Sequence, residues 1–196
     1  FHPIVLSEKA VTMPFEWKNA PGLLYNDDAS MSIPILATKL HPPILRRDIV
    51  SRARLLERLN AGLWQPEGFL RKLTLVSAPA GCVKTTLVSE WLSALTPNPS
   101  PIVGRGEGVR AAWLSLDESD NDPVRFLAYL IAALQQVWPA FGLQTGAILQ
   151  LPQPPPPSVI LTSLVNEFSG IPATFVLALD DYHAIHTPAI HEQLAF

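Results

Sequence analysis

The chain has 196 residues, 14 Lys and Arg against 17 Asp and Glu, and a single cysteine, Cys82. That length suits one domain with room for a tail, and 48% hydrophobic against 16% charged residues excludes wholesale disorder. One cysteine excludes an internal disulfide framework and any cysteine-rich zinc module, which fits a reducing cytoplasm.

Charge is unevenly placed. Every Lys and Arg lies at or before Arg125, and residues 126 to 196 carry only Glu167, Asp180, Asp181 and Glu192. A phosphate-backbone footprint needs clustered basic side chains, so the chain by itself lacks the mark of a DNA reader. The uncharged stretch after Arg125 is broken by Pro139, Gly142 and the PQPPPP run, and no apolar segment reaches the roughly 20 residues that span a bilayer. Glu8, Lys9, Glu16 and Lys18 interrupt any apolar leader core.

Residues 1 to 32 show no sustained periodicity and are read as an unstructured or non-native tail. From Ser51, Leu55, Leu56, Leu59 and Leu63 share one helical face while Arg52, Arg54, Glu57 and Arg58 fall largely off it, which predicts an amphipathic helix. Leu73 to Ser77 is a β-prone run, followed by a Pro/Gly turn and a helical pattern from Thr85 to Leu95. Residues 96 to 110 are dense in Pro and Gly, which predicts a flexible loop. Ala111 to Leu116 is a second buried-strand candidate. Asp122 then suits a helix cap with Pro123 in the first turn, and the apolar spacing runs to about Trp138. Residues 152 to 157 form a polyproline spacer. Ser158 to Phe168 reads as a helix and Thr174 to Leu179 as an apolar strand ending in Asp180 and Asp181. Strands that are apolar throughout, alternating with helices, predict an α/β fold with a parallel sheet covered on both faces.

The turn after the first of these strands carries the most specific chemistry. In the pattern GxxxxGK[ST], small residues let successive backbone N–H groups curl around phosphates, a lysine reaches the β and γ phosphates, and a hydroxyl binds Mg²⁺. The register here is Ala78-Pro79-Ala80-Gly81-Cys82-Val83-Lys84-Thr85, followed by Thr86. Lys84 and Thr85 match, and so does the strand-to-helix context. The glycine expected before the lysine is Val83, whose β-branch is costly wherever glycine's freedom or close phosphate approach is needed. A strand-to-helix turn with an incidental Lys-Thr pair is the competing reading. The strand FVLALDD favours the first, because an apolar strand ending in two carboxylates suits a Walker B element. Asp180 would then hold Mg²⁺ and Asp181 would orient or deprotonate an attacking water.

The segments ILATKLHPPILRRDIVSRARLLERL, SAPAGCVKTTL, AWLSLDESDNDPVRFLAYLIAAL and LALDDYHAI together resemble the N-terminal ATPase module of MalT-like LuxR-type transcriptional regulators, within the STAND class of P-loop signalling NTPases. The resemblance covers about residues 33 to 196. It implies an ATP-controlled switch using Mg²⁺ and hydrolysing slowly, with inducer sensing and promoter binding in C-terminal regions beyond this chain, and room for self-association of the full-length protein. It carries over Ala80, Gly81, Cys82, Val83, Lys84, Thr85 and Thr86 for the nucleotide, with Asp180 and Asp181 as the acidic pair. Arg52 is placed near the base or ribose. The class also implies a further parallel strand between the phosphate-loop strand and the acidic strand, and a later cation for the γ-phosphate. Neither is found in this sequence, so the chain reads as a fragment truncated after the acidic strand.

Two rival functions stand beside this one: a small-substrate P-loop kinase or ATPase, and a nucleotide-free remnant in which Val83 has ended binding. Other constellations are weaker. His183, His186 and His191 match no strong zinc spacing. Cys82 has no histidine in its loop. Asp117, Glu118, Asp120 and Asp122 read as caps and a solvated turn. Arg46, Arg47, Arg52, Arg54 and Arg58 are interleaved with Asp48 and Glu57, as on a solvated helix face.

Overall fold

The computed structural model describes residues 2–7, 33–45, 48, 50–61, 73–79, 81–95, 109–153, 155–170 and 175–195. Leu63, Ala80, Arg46, Arg47, most of the 96–110 loop and residues 8–32 therefore lie outside the described residues.

Four strands form one sheet in the order β2-β1-β4-β3, with β1 at His2–Ser7, β2 at Leu73–Val76, β3 at Arg110–Ser115 and β4 at Phe175–Asp180. β3 and β4 pair in parallel, from Arg110 opposite Phe175 to Ser115 opposite Asp180. β1 is antiparallel to both β2 and β4, so β2, β3 and β4 all run the same way. The all-parallel expectation is thus corrected to a mixed sheet with one reversed strand. That strand comes from a stretch read as tail, because His2–Ser7 is too short to establish a period of two. Its backbone lies between β2 and β4 and pairs with both.

Alternate residues of the central strands feed two cores, which is why the strands read as apolar throughout. Leu114, Phe175, Leu177 and Leu179 pack on one face with Phe126, Leu130, Leu134, Ile160 and Ile190. These last five come from α3 (Pro123–Gln135), α5 (Pro157–Ser169) and α6 (Pro188–Ala195). On the opposite face Trp113, Val176 and Ala178 meet Leu59, Leu87, Val88, Trp91 and Leu92. Leu59 belongs to α1 (Ala53–Asn60) and the other four to α2 (Lys84–Leu95). Burial of the strands on both faces follows from this division.

Several predicted boundaries hold closely, with α2 beginning one residue earlier than expected. Asp122 caps α3 by accepting from the Arg125 N–H at 2.7 Å, with Pro123 in the first turn. The helix ends at Gln135 rather than Trp138, where turn-type bonds take over: the Val137 N–H reaches the Leu134 carbonyl. The sequence reading missed α4 (Leu143–Leu149) and α6, both short and without strong periodicity.

Candidate nucleotide site

The sheet sets the geometry. Thr74 and Ala178 both stand opposite Ile4, so β2 and β4 are level across β1. Two residues further along each strand lie Val76, which leads into the loop, and Asp180. Two strand spacings separate these tips by roughly 9.5 Å, and both point to the same edge of the sheet.

From that edge the loop turns sharply into α2. Gly81 has φ of +79° and Val83 a φ of +55°. The Cys82 N–H bonds the Pro79 carbonyl at 3.3 Å, and the Leu87 N–H bonds the Val83 carbonyl at 3.0 Å, closing the first turn of the helix. Lys84 folds back over the turn and donates from Nζ to the carbonyls of Ala78 at 2.9 Å and Pro79 at 3.1 Å. Its ammonium thereby stands at the loop mouth beside the positive end of the helix. Thr85 crosses to the acidic strand, its hydroxyl donating to Asp180 Oδ1 at 3.1 Å. Thr86 occupies the same first turn, half-buried. Arg52, from the turn entering α1, brings Nη1 within 3.5 Å of the Cys82 carbonyl.

Asp180 is 8% exposed. Burial pushes its carboxyl above the ordinary range and the neighbouring Asp181 charge adds to this, while the Thr85 hydroxyl and the Lys84 charge oppose it. Asp181 takes φ of +54° and turns outward, with Oδ1 at 3.8 Å from Nδ1 of His183. The structure therefore brings together Arg52, Cys82, Lys84, Thr85 and Asp180 at one edge, with Asp181 on its solvent side.

The donor set suits Mg²⁺: a hydroxyl and a carboxylate oxygen, both hard ligands, already converge at the end of a lysine-bearing loop. Among the described residues no group of three or more His, Cys, Asp or Glu is placed to hold a metal ion. A separate cavity of about 150 Å³, lined by Ile33, Ile35, Ile131 and Leu149, shares no residue with this edge.

The sequence reading missed a second charged network. Lys39 is 7% exposed and Asp120 fully buried; the Lys39 ammonium pairs with Asp120 and, at 2.9 Å, with Asp117. Arg125 reaches the other oxygen of Asp120 at 3.4 Å, and both cations lie over the Tyr129 ring. Asp120 is therefore no part of a solvated turn. Lys39 inside the apolar ILATKL run was the available signal, since an isolated cation there needs a buried partner. The network fastens the segment before α1 to the start of α3.

No protein-family profile matches the chain. Individual relatives do. The chain is 34% identical over 162 residues to the HTH-type transcriptional regulator MalT of Cronobacter sakazakii, 36% to that of Serratia proteamaculans and 34% to that of Yersinia enterocolitica. Each comparison covers 83% of this chain and 16% of the relative, so the chain spans about one sixth of the curated relatives it matches.

Proposed function

We propose, starting from a chain homologous to part of the MalT-type HTH transcriptional regulators over most of its length, that it is the ATP-binding switch module of such a regulator. The observation that carries this reading is the convergence of Lys84, Thr85 and Asp180 on one sheet edge.

In this account Lys84 leaves the carbonyls of Ala78 and Pro79 to bind the β and γ phosphates, while the first N–H groups of α2 bind the phosphate oxygens. Bound Mg²⁺ supplies positive charge to the phosphate chain, and Thr85 and Asp180 would hold it. Arg52 lies on the flank suited to base or ribose. Asp181 stands where it can orient a water toward the terminal phosphate, and its exposed, outward position fits slow hydrolysis better than rapid turnover. Inducer sensing, promoter binding and self-association belong in this account to the regulator's other regions. No described helix is long and apolar enough to cross a membrane, and a cytoplasmic location is part of the same proposal.

Calorimetric titration of ATP with Mg²⁺ into this chain and into Lys84→Ala tests the reading. The proposal expects at least a tenfold weaker Kd in the variant, and equal binding by the two contradicts it. A nucleotide-free scaffold is the second reading, favoured by the branched side chain of Val83 where the phosphate-loop pattern has glycine.

A further inference from the structure

The valine standing where the phosphate-loop pattern has glycine adopts a backbone that L side chains rarely take. Its φ is +55°, and a β-branched residue there crowds its own carbonyl. Neighbouring bonds hold it in place. The Val83 carbonyl closes the first turn of α2 through the Leu87 N–H, and the Cys82 N–H on its other side is tied to Pro79. Rotating Val83 to negative φ would turn that carbonyl away from Leu87 and re-aim the Lys84 N–H, so the helix start enforces the strained conformation.

Packing gives nothing back. Val83 is 45% exposed. At Gly81, by contrast, an added Cβ would meet nothing within 4 Å, so the middle of the turn is open. Val83 thus keeps a backbone that glycine takes readily while carrying a branched side chain next to Lys84.

We infer that Val83 is the affinity-determining residue of this phosphate site. It preserves the loop but keeps the phosphate chain of a nucleoside triphosphate from closing onto the backbone N–H groups at the start of α2. This inference rests on the nucleotide reading above. The loss falls on the phosphates, so an inorganic polyphosphate experiences it as ATP does.

Calorimetric titrations of ATP and of inorganic triphosphate, each with Mg²⁺, into the full chain, Val83→Ala and Val83→Gly test it, with melting temperatures recorded alongside. Val83→Gly is expected to bind both ligands at least tenfold more tightly than the parent chain, with Val83→Ala between them. If all three bind with the same Kd, the inference is overturned, even where Val83→Gly melts higher, because valine then costs stability alone. A gain for ATP without one for triphosphate also overturns it. Absence of binding in all three removes the nucleotide reading itself and this inference with it, an outcome distinct from equal affinities.

Discussion

The Thr85 hydroxyl donates to Asp180 Oδ1 at 3.1 Å, joining the first turn of a helix to the tip of a strand 95 positions later in the chain. Neither residue is brought there by its partner. Thr85 is set by the turn out of β2 and Asp180 by the parallel register of β4 against β3. Their meeting is a consequence of the sheet, which sets a hydroxyl and a carboxylate oxygen side by side.

Such a carboxylate costs the fold something. Burial raises the Asp180 pKa, so above that pKa the ionised group is held in a setting that disfavours its charge. Asp180→Asn keeps an oxygen to accept from Thr85 while removing the charge. It is expected to melt higher than the parent chain at neutral pH in the absence of nucleotide and Mg²⁺. The difference should shrink as acid protonates the parent's carboxyl. A lower melting temperature at neutral pH would contradict this sign.

Lys39 and Asp120 behave in the opposite way, because each neutralises the other in the interior. Burial acts to lower the Lys39 pKa, but the bonds and charges of Asp120 and Asp117 outweigh it and leave the ammonium above its ordinary value. Lys39→Met strands the fully buried Asp120 with only the long Arg125 contact for charge compensation. The expected loss in urea denaturation is about 3 kcal/mol, near the low end for breaking a buried pair. The double variant with Asp120→Leu should recover part of it, and a loss below about 1 kcal/mol for Lys39→Met would show that the pair is not structural.

Asp117 gives a pH signature. Its carboxyl lies at about 2 against an ordinary 3.8, first because the Ser119 hydroxyl bonds the ionised form and then because Lys39 does. A depressed folded pKa means that the carboxylate adds stability above pH 3.8, and that this contribution is lost as pH falls from 3.8 toward 2. Denaturation at stepped pH should therefore show the parent chain losing more stability across that window than Asp117→Asn. The side chain is 57% exposed, so screening keeps the difference modest. Parallel acid limbs for the two proteins would remove Asp117 from the account.

Lys84, Thr85 and Asp180 could be picked out as a candidate group because the phosphate-loop pattern assigns residue types to fixed places on a strand-loop-helix unit, and the structure brings Thr85 and Asp180 into contact beside the Lys84 turn. Strand β4 was legible because both its faces are covered, leaving an uninterrupted apolar run. Strand β1 was not: six residues give too few repeats to reveal a period, and its antiparallel placement depends on β2 and β4, far along the chain. The capping role of Asp120 was legible from local spacing, and its Oδ2 does accept from the Asp117 N–H at 2.9 Å; its burial was not, since spacing cannot show that Lys39, 81 positions earlier, lies against it. The departure at Val83 was visible from the pattern, and the structure adds that its φ is +55°.

The proposed switch requires the loop at Lys84 and the carboxylate of Asp180 to act on one nucleotide together with one metal ion. Measuring the ATP Kd with Mg²⁺ and with EDTA, for the parent chain, Lys84→Ala and Asp180→Asn, tests it. Lys84→Ala should weaken binding under both conditions. Asp180→Asn should weaken it only with Mg²⁺, by at least tenfold, and match the parent chain in EDTA. An Asp180→Asn protein whose affinity responds to Mg²⁺ just as the parent's does would contradict the claim.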